Sequence, residues 1–331
     1  MADTYTTNLN LKKPGYDSPA DIADINANMD KIDAAYKTVD AVKLGGKPPE
    51  YYIQPRNLLD NSDFANPVNQ RGKTSYTGSE PNIDRWKTTN SNMTVEVTDE
   101  GLRLSVSSAA AGHGYLRQQL AGDFSSGVYT LAVCAKGGKG SLYFTTDGTA
   151  SGVSSVGITQ SSDWTIFCVS GDAGAGTKVP NQFTIRCDLG ESIEVKWAAL
   201  YEGSYTADTL PPYVPKGYAA EWIECRRYYR RIEQAYVPAA THNVSGSKRF
   251  AISFQLETPM AKTGKEPTAE IITPPSYIRY GGETYTLSEL AVVKSEVMDG
   301  SVFILIQTST DIESGYAAYV SSGVYAINND L

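Results

Sequence analysis

The stretch SPADIADINANMDKIDAAYKTV, residues 18–39, is the part of the sequence around which the rest of the chain is organised. Ser18 can cap a helix, and Pro19 suits the first helical position. Apolar residues then follow at steps of three and four, which is the a/d spacing of a coiled coil. They are Ile22, Ile25, Met29, Ile32, Tyr36 and Val39. The spacing predicts a helix with one narrow apolar stripe.

This stripe has two possible partners. A short helix with so narrow an apolar face is marginal alone in water, so we expect it to pack against copies of itself. Ile at several core positions favours three strands, which predicts a homotrimer held by Ile22, Ile25, Met29, Ile32 and Tyr36. The alternative is an amphipathic helix that lies on its own domain.

Composition limits the function classes. A chain of 331 residues has room for two or three domains. Its net charge of -8 argues against nucleic acid as the partner, because phosphate binding needs a basic face. The 22 Tyr against 8 Phe suit solvent-facing sheets and binding surfaces, since a Tyr ring has an apolar face and a polar tip. The N-terminus lacks an apolar signal core and no run has membrane-spanning length, so we expect cytoplasmic synthesis without secretory export or membrane insertion.

Neither the cysteines nor the acidic residues in turns indicate a metal site. There is no C-x-x-C pair, and zinc ligands are usually closely paired. The apolar contexts of the cysteines indicate small buried thiols; they are Cys134, Cys168, Cys187 and Cys225. A Cys134–Cys168 or a Cys168–Cys187 bridge is the alternative. Asp147 and Asp172 lie in Gly-containing turns and could hold a structural Ca²⁺, but turn formation alone accounts for both, and we predict no cofactor.

Strand signals dominate from about Asn57 to Gly203. Alternation is clear at Thr94–Val97 and Leu102–Val106, where apolar residues occupy every second position. Further short strands, separated by turn residues, are predicted at Tyr115–Leu120, Val128–Ala135, Ser141–Thr145, Trp164–Val169, Gln182–Arg186 and Ile193–Tyr201. Many short strands without a helical pattern indicate an antiparallel sandwich.

The last region, from about residue 218, also reads as strands. They are predicted at Phe250–Leu256, Thr268–Ile272, Glu289–Val297, Val302–Gln307, Tyr316–Val320 and Gly323–Ile327. About 110 residues are enough for one further sandwich. The predicted fold class is therefore mainly β, with an N-terminal coiled-coil helix followed by two antiparallel β-sandwich domains in a homotrimer.

The Pro-rich stretch SYTADTLPPYVPKG, residues 204–217, marks the boundary between these two regions. The most basic run of the chain follows it; the residues are Arg226, Arg227, Arg230 and Arg231. A nucleic-acid helix is one interpretation, but the acidic chain argues against it. We instead expect Trp222 and Tyr229 in a packing face, with the Arg side chains in ion pairs or stacked contacts.

Several motifs resemble those of a known family. NLNLKKP (8–14), DIADINANMDKID (21–33) and DAVKLGGKPPEYYI (40–53) are similar to the N-termini of tail-fibre and receptor-binding proteins of bacteriophages and phage-tail-like particles. PKGYAAEWIECRRYY (215–229) resembles the junction before the distal head of many such fibres. The resemblance implies that residues 1–56 attach to a tail or baseplate. It also implies that residues 205–331 form a linker and receptor-binding head, and that the protein is assembled in a host cytoplasm into a virion tail.

The central region, residues 57–204, resembles the jelly-roll carbohydrate-binding modules of glycosidases and the related modules of phage fibres. The similar pieces are NLLDNSDF (57–64), DRW (84–86), YTLAVCAK (129–136) and VKWAALYEG (195–203). The resemblance implies a jelly-roll-like sandwich, and it supports the fold better than a ligand. Trp86 is expected in the core of this sandwich, whereas Trp164 is a candidate to stack on a sugar.

The candidate glycan site of the last region is PPSYIRYGGETY, residues 274–285. Saccharide sites use aromatic platforms with polar neighbours, so Tyr277, Tyr280 and Tyr285 are the predicted platform. Arg279 is placed to contact an anionic group such as a phosphate. The alternative is that these tyrosines pair across a hairpin at Gly281–Gly282 and carry no ligand.

No catalytic motif is present: the sequence has no G-x-S-x-G, H-E-x-x-H, Walker loop or dinucleotide fingerprint. No internal repeat is found either. We therefore expect a protein that is not an enzyme and that attaches a particle to bacterial cell-surface polysaccharide. The alternatives are a polysaccharide-degrading tail enzyme and a purely structural baseplate or fibre subunit.

Overall fold

The computed structural model of the chain describes residues 4–13, 21–38, 55–89, 92–120, 127–145, 154–172, 182–241, 243, 246–257, 259–260, 267–298, 300–313 and 315–328. Within these residues the protein is mainly β, with antiparallel sheets and two helices. The chain divides into two compact units. One comprises Met1–Pro55 with Thr209–Pro212, and the other comprises Arg56–Asp208 with Tyr213–Leu331.

The helix of the first unit, α1 (Ile22–Thr38), begins three residues later than the sequence predicted. Asp21 caps it, because its Oδ1 accepts a hydrogen bond from the backbone N–H of Ala23 at 2.9 Å. Ser18 and Pro19, the predicted cap and first position, lie outside the described residues.

A hairpin precedes this helix, although residues 1–17 are polar and contain Pro and Gly, a composition that predicts an arm without structure of its own. Its strands are β1 (Thr4–Tyr5) and β2 (Lys12–Lys13). Lys12 N–H donates to Asn28 Oδ1 at 2.9 Å, and Asn28 Nδ2 donates to Lys12 O at 2.9 Å. Lys12 Nζ also lies 2.7 Å from Asp24 Oδ2. Polar groups of α1 therefore hold the hairpin and give the arm a fixed conformation.

The first part of the second unit is a β-sandwich of two antiparallel sheets. The five-stranded sheet has the order β10 (Ser154–Ile158), β9 (Gly140–Thr145), β12 (Gln182–Cys187), β7 (Gly114–Gln119) and β4 (Lys87–Thr88). The six-stranded sheet has the order β11 (Ser161–Asp172), β8 (Val128–Gly137), β13 (Ser192–Glu202), β6 (Gly101–Val106), β5 (Met93–Thr98) and β3 (Ser75–Thr77). The predicted sandwich is confirmed here.

One apolar core lies between these two sheets. Leu104 and Leu131 come from the six-stranded sheet, Leu116 and Ile185 come from the other, and all four are fully buried. This arrangement explains the alternation seen in the sequence, because successive side chains of a strand point to opposite faces. All four cysteines are free, so neither alternative bridge forms.

The NLLDNSDF and DRW motifs are held to the sandwich by hydrogen bonds within the chain. Asn57 Nδ2 donates to Ala198 O, and its Oδ1 accepts from Leu200 N–H, both at 3.0 Å. Trp86 lies in the core as expected, and its Nε1 donates to Asn61 O at 2.8 Å. These motif residues have structural partners.

The second part of this unit is one eight-stranded antiparallel sheet in place of the predicted second two-sheet sandwich. Its main path runs β18 (Glu283–Thr286), β17 (Tyr277–Tyr280), β21 (Ala317–Asn328), β14 (Tyr229–Thr241), β15 (Arg249–Gln255), β20 (Ser301–Gln307) and β19 (Ala291–Met298). The remaining strand, β16 (Thr268–Thr273), also pairs with β21. The sheet encloses a single core, because apolar residues from all eight of its strands pack together.

A polar junction connects the sandwich to this C-terminal sheet. The helix α2 (Tyr218–Cys225) places the buried Glu221 so that its Oε2 accepts from Asn61 N–H at 2.7 Å. Gln70 Nε2 donates to the carbonyl oxygen of Tyr229 at 2.7 Å. The guanidinium of Arg85 stacks 3.5 Å from the ring centroid of Tyr228.

The basic run after α2 takes part in the expected contacts. Arg226, Arg227 and Arg231 form ion pairs with nearby glutamates. Tyr229 is buried, and Trp222 is half-buried with its ring stacked on Tyr218. The prediction is therefore confirmed for the buried Tyr229 and for the paired side chains of Arg226, Arg227 and Arg231, while Arg230 is buried.

Candidate functional site

The hairpin predicted as the alternative at Gly281–Gly282 is present in the C-terminal sheet. Both glycines have positive φ, 58° and 86°, which is the conformation of a type I′ turn. The turn pairs Tyr280 with Glu283 and Ile278 with Tyr285. This register decides which of the predicted glycan-binding side chains share a face.

The register places the four predicted residues on two faces. Tyr280 is buried and Tyr285 packs against the core of the C-terminal sheet. Arg279 is exposed and Tyr277 is half-buried, at the alternate positions of the same strand. Their glycan-binding roles stay a prediction, but the four side chains do not converge on one point.

Tyr280 is the middle ring of a group that we call the tyrosine stack, formed by Tyr285, Tyr280 and Tyr316. Its centroid lies 4.6 Å from that of Tyr285 and 5.1 Å from that of Tyr316. Tyr285 Oη donates to Glu283 Oε2 at 2.8 Å. This hydrogen bond and one with Tyr280 raise the pKa of Tyr285, so its phenol stays a donor. Both faces of the Tyr280 ring are covered, which removes it as a stacking platform.

The opposite face carries a group that we call the outer row, formed by Thr284, Arg279, Tyr319 and Pro238. Arg279 lies opposite Thr284 of β18 and opposite Tyr319 of β21, and Tyr319 lies opposite Pro238 of β14. All four residues are exposed, and 60% of Tyr319 is accessible. An accessible phenol ring beside a guanidinium group can stack on one part of a ligand and donate hydrogen bonds to another.

Trp164, the candidate in the sandwich, already has cationic neighbours. Lys136 Nζ lies 4.4 Å and Lys196 Nζ 5.7 Å from the Trp164 ring centroid. Lys136 also forms ion pairs with Glu100 at 2.6 Å and with Glu194 at 3.1 Å. The ring therefore belongs to a charged network across the six-stranded sheet.

The apolar stripe of α1 is exposed to solvent along the described part of the helix. Ile22 and Met29 are 72% and 61% accessible, and Ile25 and Ile32 are exposed as well. The side chain of Tyr36 and the whole of Val39 lie outside the described residues.

The described part of the chain contains no cluster of three His, Cys, Asp or Glu side chains that could hold a metal ion. Asp147 and the side chain of Asp172, the candidate Ca²⁺ ligands, fall outside that part. No described helix is long and apolar enough to cross a membrane.

Comparisons with known proteins show no family for this chain. No family model matches it, and no curated protein matches it. Among solved structures it is similar to a candidate sugar-binding protein from Bacteroides thetaiotaomicron, with 16% identity and a TM-score of 0.31. The match covers 45% of this chain and 100% of the other. A likeness at this TM-score establishes neither a fold nor a ligand.

Proposed function

We propose that this chain is a homotrimeric fibre subunit that attaches a bacteriophage tail, or a phage-tail-like particle, to polysaccharide on a bacterial surface. The observation that carries the proposal is the outer row, in which the exposed Tyr319 ring lies between Arg279 and Pro238. The ring stacks on the C–H face of a sugar, and Arg279 donates to an anionic group of the same glycan.

The N-terminal unit supports the fibre part of the proposal. An exposed stripe of Ile and Met at a/d spacing is the surface by which coiled-coil helices associate, and Ile favours three strands. The hairpin that is hydrogen-bonded to α1 then provides each chain with a structured surface for contact with a tail or baseplate protein. The proposed trimer thus combines particle attachment through the N-terminal units with three copies of the outer row.

Multivalency lets each surface bind weakly. Three linked sites raise avidity by about 10²–10⁴ when they engage together. The sandwich, similar in its motifs to jelly-roll carbohydrate-binding modules, serves in this proposal as a shaft that carries the C-terminal sheet. No catalytic step is part of the proposal.

The test is binding of the labelled full chain to a panel of bacteria, with Tyr319→Ala beside Trp164→Ala. We expect Tyr319→Ala to abolish binding, because it removes the exposed platform, and Trp164→Ala to retain it, because that ring packs with Lys136. Point variants are preferred to truncation, since removal of the chain from α2 onwards would break the hydrogen bonds of the Asn61 N–H to Glu221 and of Gln70 to the carbonyl oxygen of Tyr229.

Each other outcome has a defined meaning. If Trp164→Ala abolished cell binding and Tyr319→Ala retained it, the glycan site would lie in the sandwich. No binding by a folded full chain on any strain would favour a structural subunit. Release of reducing ends from the cell polysaccharide would favour a polysaccharide-degrading enzyme.

A further inference from the structure

A cleft of about 490 Å³ in the C-terminal sheet is lined by the segment that joins β16 to β17 and by the segment that follows β18. Small-molecule sites commonly have volumes of about 300–1,000 Å³, so the cleft has room for one sugar ring with a substituent. Its apolar lining residues are Ile271, Pro274, Pro275, Leu287 and Leu290. Leu287 belongs to the core of the sheet, and Ile271 and Leu290 pack against that core. The cleft therefore reaches the apolar interior.

Two serine hydroxyls of the lining are already used within the chain. Ser276 Oγ lies 3.2 Å from Ser321 Oγ, and Ser288 Oγ lies 2.8 Å from Ser309 Oγ. The backbone N–H of Leu287 donates to Ser276 O at 2.9 Å, which joins the two segments that line the cleft. These hydrogen bonds fix the walls, so the shape of the cleft is set before a ligand binds.

Thr286 and Glu289 are the polar lining residues that remain available to a ligand. Both are exposed, and within the part of the chain that the structure describes neither the Thr286 hydroxyl nor the Glu289 carboxylate has a hydrogen-bond or ion-pair partner. Glu289 also has a positive φ of 50°, a conformation that residues other than glycine rarely adopt. Residues held in such conformations are concentrated at ligand and active sites.

The cleft is next to the outer row but has its own residues. Thr284 of the outer row and Thr286 of the cleft are two positions apart in β18, so their side chains share one face. A strand rises about 3.3 Å per residue, which places them about 7 Å apart. Thr286 pairs with Tyr277, as Thr284 pairs with Arg279.

The lining indicates a ligand that carries both an alkyl group and an N–H group. Burial of an alkyl group against the leucine and proline side chains is favourable. A carboxylate without a cation accepts a strong hydrogen bond from an N–H group. A free amine would leave the apolar lining uncovered, and an unsubstituted hexose has neither a methyl group nor an N–H. An acetamido group supplies both.

We propose that this cleft binds one N-acetylated amino sugar of a glycan. The acetyl methyl group packs on Leu287, Leu290 and Pro275, and the amide N–H donates to the Glu289 carboxylate. The Thr286 hydroxyl forms a hydrogen bond with a hydroxyl group of the sugar. The inference goes beyond the proposed function, because it assigns a second site and its ligand class to residues outside the outer row.

The experiment uses the full chain and the methyl glycosides of N-acetylglucosamine, N-acetylgalactosamine and N-acetylmannosamine. Saturation-transfer NMR and titration calorimetry report binding. We expect at least one acetamido sugar to bind, and the matching hexoside and free amino sugar to bind at least about tenfold more weakly. The N-formyl analogue lacks only the methyl group and should bind about fourfold more weakly.

Glu289→Gly separates a binding role from a structural one. Glycine adopts a positive φ readily, so the free energy of unfolding in urea should stay the same or rise. Affinity for the acetamido sugar should nevertheless fall about tenfold or more, as expected for loss of a hydrogen bond to a charged group.

Thr286→Val and Thr284→Val form a matched pair, because each removes one hydroxyl from the same face of β18. Thr286→Val should weaken the acetamido sugar about fivefold, whereas Thr284→Val should leave its binding unchanged. Tyr319→Ala should also leave it unchanged, which distinguishes failure of the cleft from failure of the outer row.

The proposal is overturned if no acetamido sugar binds, or if the matching hexoside or free amino sugar binds equally well. It is also overturned if Glu289→Gly and Thr286→Val bind as the unaltered chain does, or if Tyr319→Ala abolishes binding of the acetamido sugar. Binding to cells without binding to any acetamido sugar would remove this site and leave the proposed function in place.

Discussion

The sandwich and the C-terminal sheet use the same residue types in opposite ways. In the sandwich, Asn57 and Trp86 are buried and hydrogen-bonded within the chain, and Trp164 packs with lysines. In the C-terminal sheet, Tyr319 and Arg279 of the outer row are exposed to solvent. Polar and aromatic groups already paired inside a fold stabilise that fold, whereas accessible ones are available to a ligand.

This difference shows that a motif and a binding surface need not coincide. The pieces that make residues 57–204 resemble carbohydrate-binding modules are the pieces that hold the sandwich together. The surface best suited to a glycan lies instead in strands whose register brings distant residues side by side. The predictions below test this division, beginning with the largest expected effect.

The largest effect should come from uncoupling the three copies of the C-terminal sheet. Replacing Ile25 and Met29 by Asp puts charge into the proposed helix seam, so the mass in solution should fall from about three times the chain mass of 35.8 kDa to that of one chain. Cell binding should then fall by about 10²–10⁴ as avidity is lost. Light scattering and flow cytometry measure the two quantities.

Ala27→Asp is the matched control, because Ala27 lies on the exposed helix outside the stripe. It should change neither mass nor binding. A full chain that is already a single copy in solution would contradict the proposed trimer.

The next effect concerns Asn61, whose side-chain amide forms three hydrogen bonds to two loop residues of the sandwich. Its Nδ2 donates to Val68 O and Asp84 O, and its Oδ1 accepts from Val68 N–H. Asn61→Ala leaves these buried groups unpaired and should lower the free energy of unfolding by about 3 kcal/mol or more. Urea denaturation measures it. Thr284→Ala, in the outer row, should change the free energy of unfolding by less than about 0.5 kcal/mol. If both variants lowered it by similar amounts, the contrast between the two regions would be wrong.

A smaller effect is expected at Arg279. Arg279→Lys keeps the charge but removes the planar donor pair, so affinity for a phosphate- or carboxylate-bearing glycan should fall about tenfold. Affinity for an uncharged polysaccharide should stay the same. Surface plasmon resonance with both polymers measures the contrast, and an equal change for both would show that Arg279 does not read charge.

The smallest effect is a pH dependence at the junction. Burial raises the pKa of the Glu221 carboxyl above its ordinary 4.5, although the Asn61 N–H lowers it in part. The folded state therefore binds this proton more tightly than the unfolded chain, and stability from this group is lost as pH rises through the raised pKa. Glu221→Gln keeps an acceptor for Asn61, so its unfolding free energy should depend less steeply on pH from about 4 to 7. If the unfolding free energy of Glu221→Gln changed with pH as steeply as that of the unaltered chain, this assignment would be contradicted.

Much of the fold was predictable wherever one strand face is buried along its whole length. The strands β5 and β6 show this, because Val95 pairs with Leu104 in the core while Glu96 pairs with Arg103 outside. The strand β14 was missed because Ile232 and Val237 both pack on the core although an odd number of positions separates them. This breaks the period of two on which the prediction depends.

A break in the period of two also explains why the sequence predicted two strands, Tyr316–Val320 and Gly323–Ile327, where the structure has the single strand β21. Val320 and Tyr325 both lie in the core of the C-terminal sheet, again at an odd separation. The candidate site was less predictable for a related reason. Tyr319 gains its importance from pairing with Arg279 and Pro238, and such pairing between distant residues has no local signal in the sequence.

The junction has a consequence for the exchange of heads between related chains. A chimera joined at the Pro-rich stretch 204–217 would replace Glu221, Tyr228 and Tyr229 but keep the loops that hold Asn61, Gln70 and Arg85. A recombined head is therefore compatible only if it brings matching residues to those loops. Exchange of the C-terminal sheet is constrained by a few paired positions on both sides of the joining point, whatever the sequence of the stretch between them.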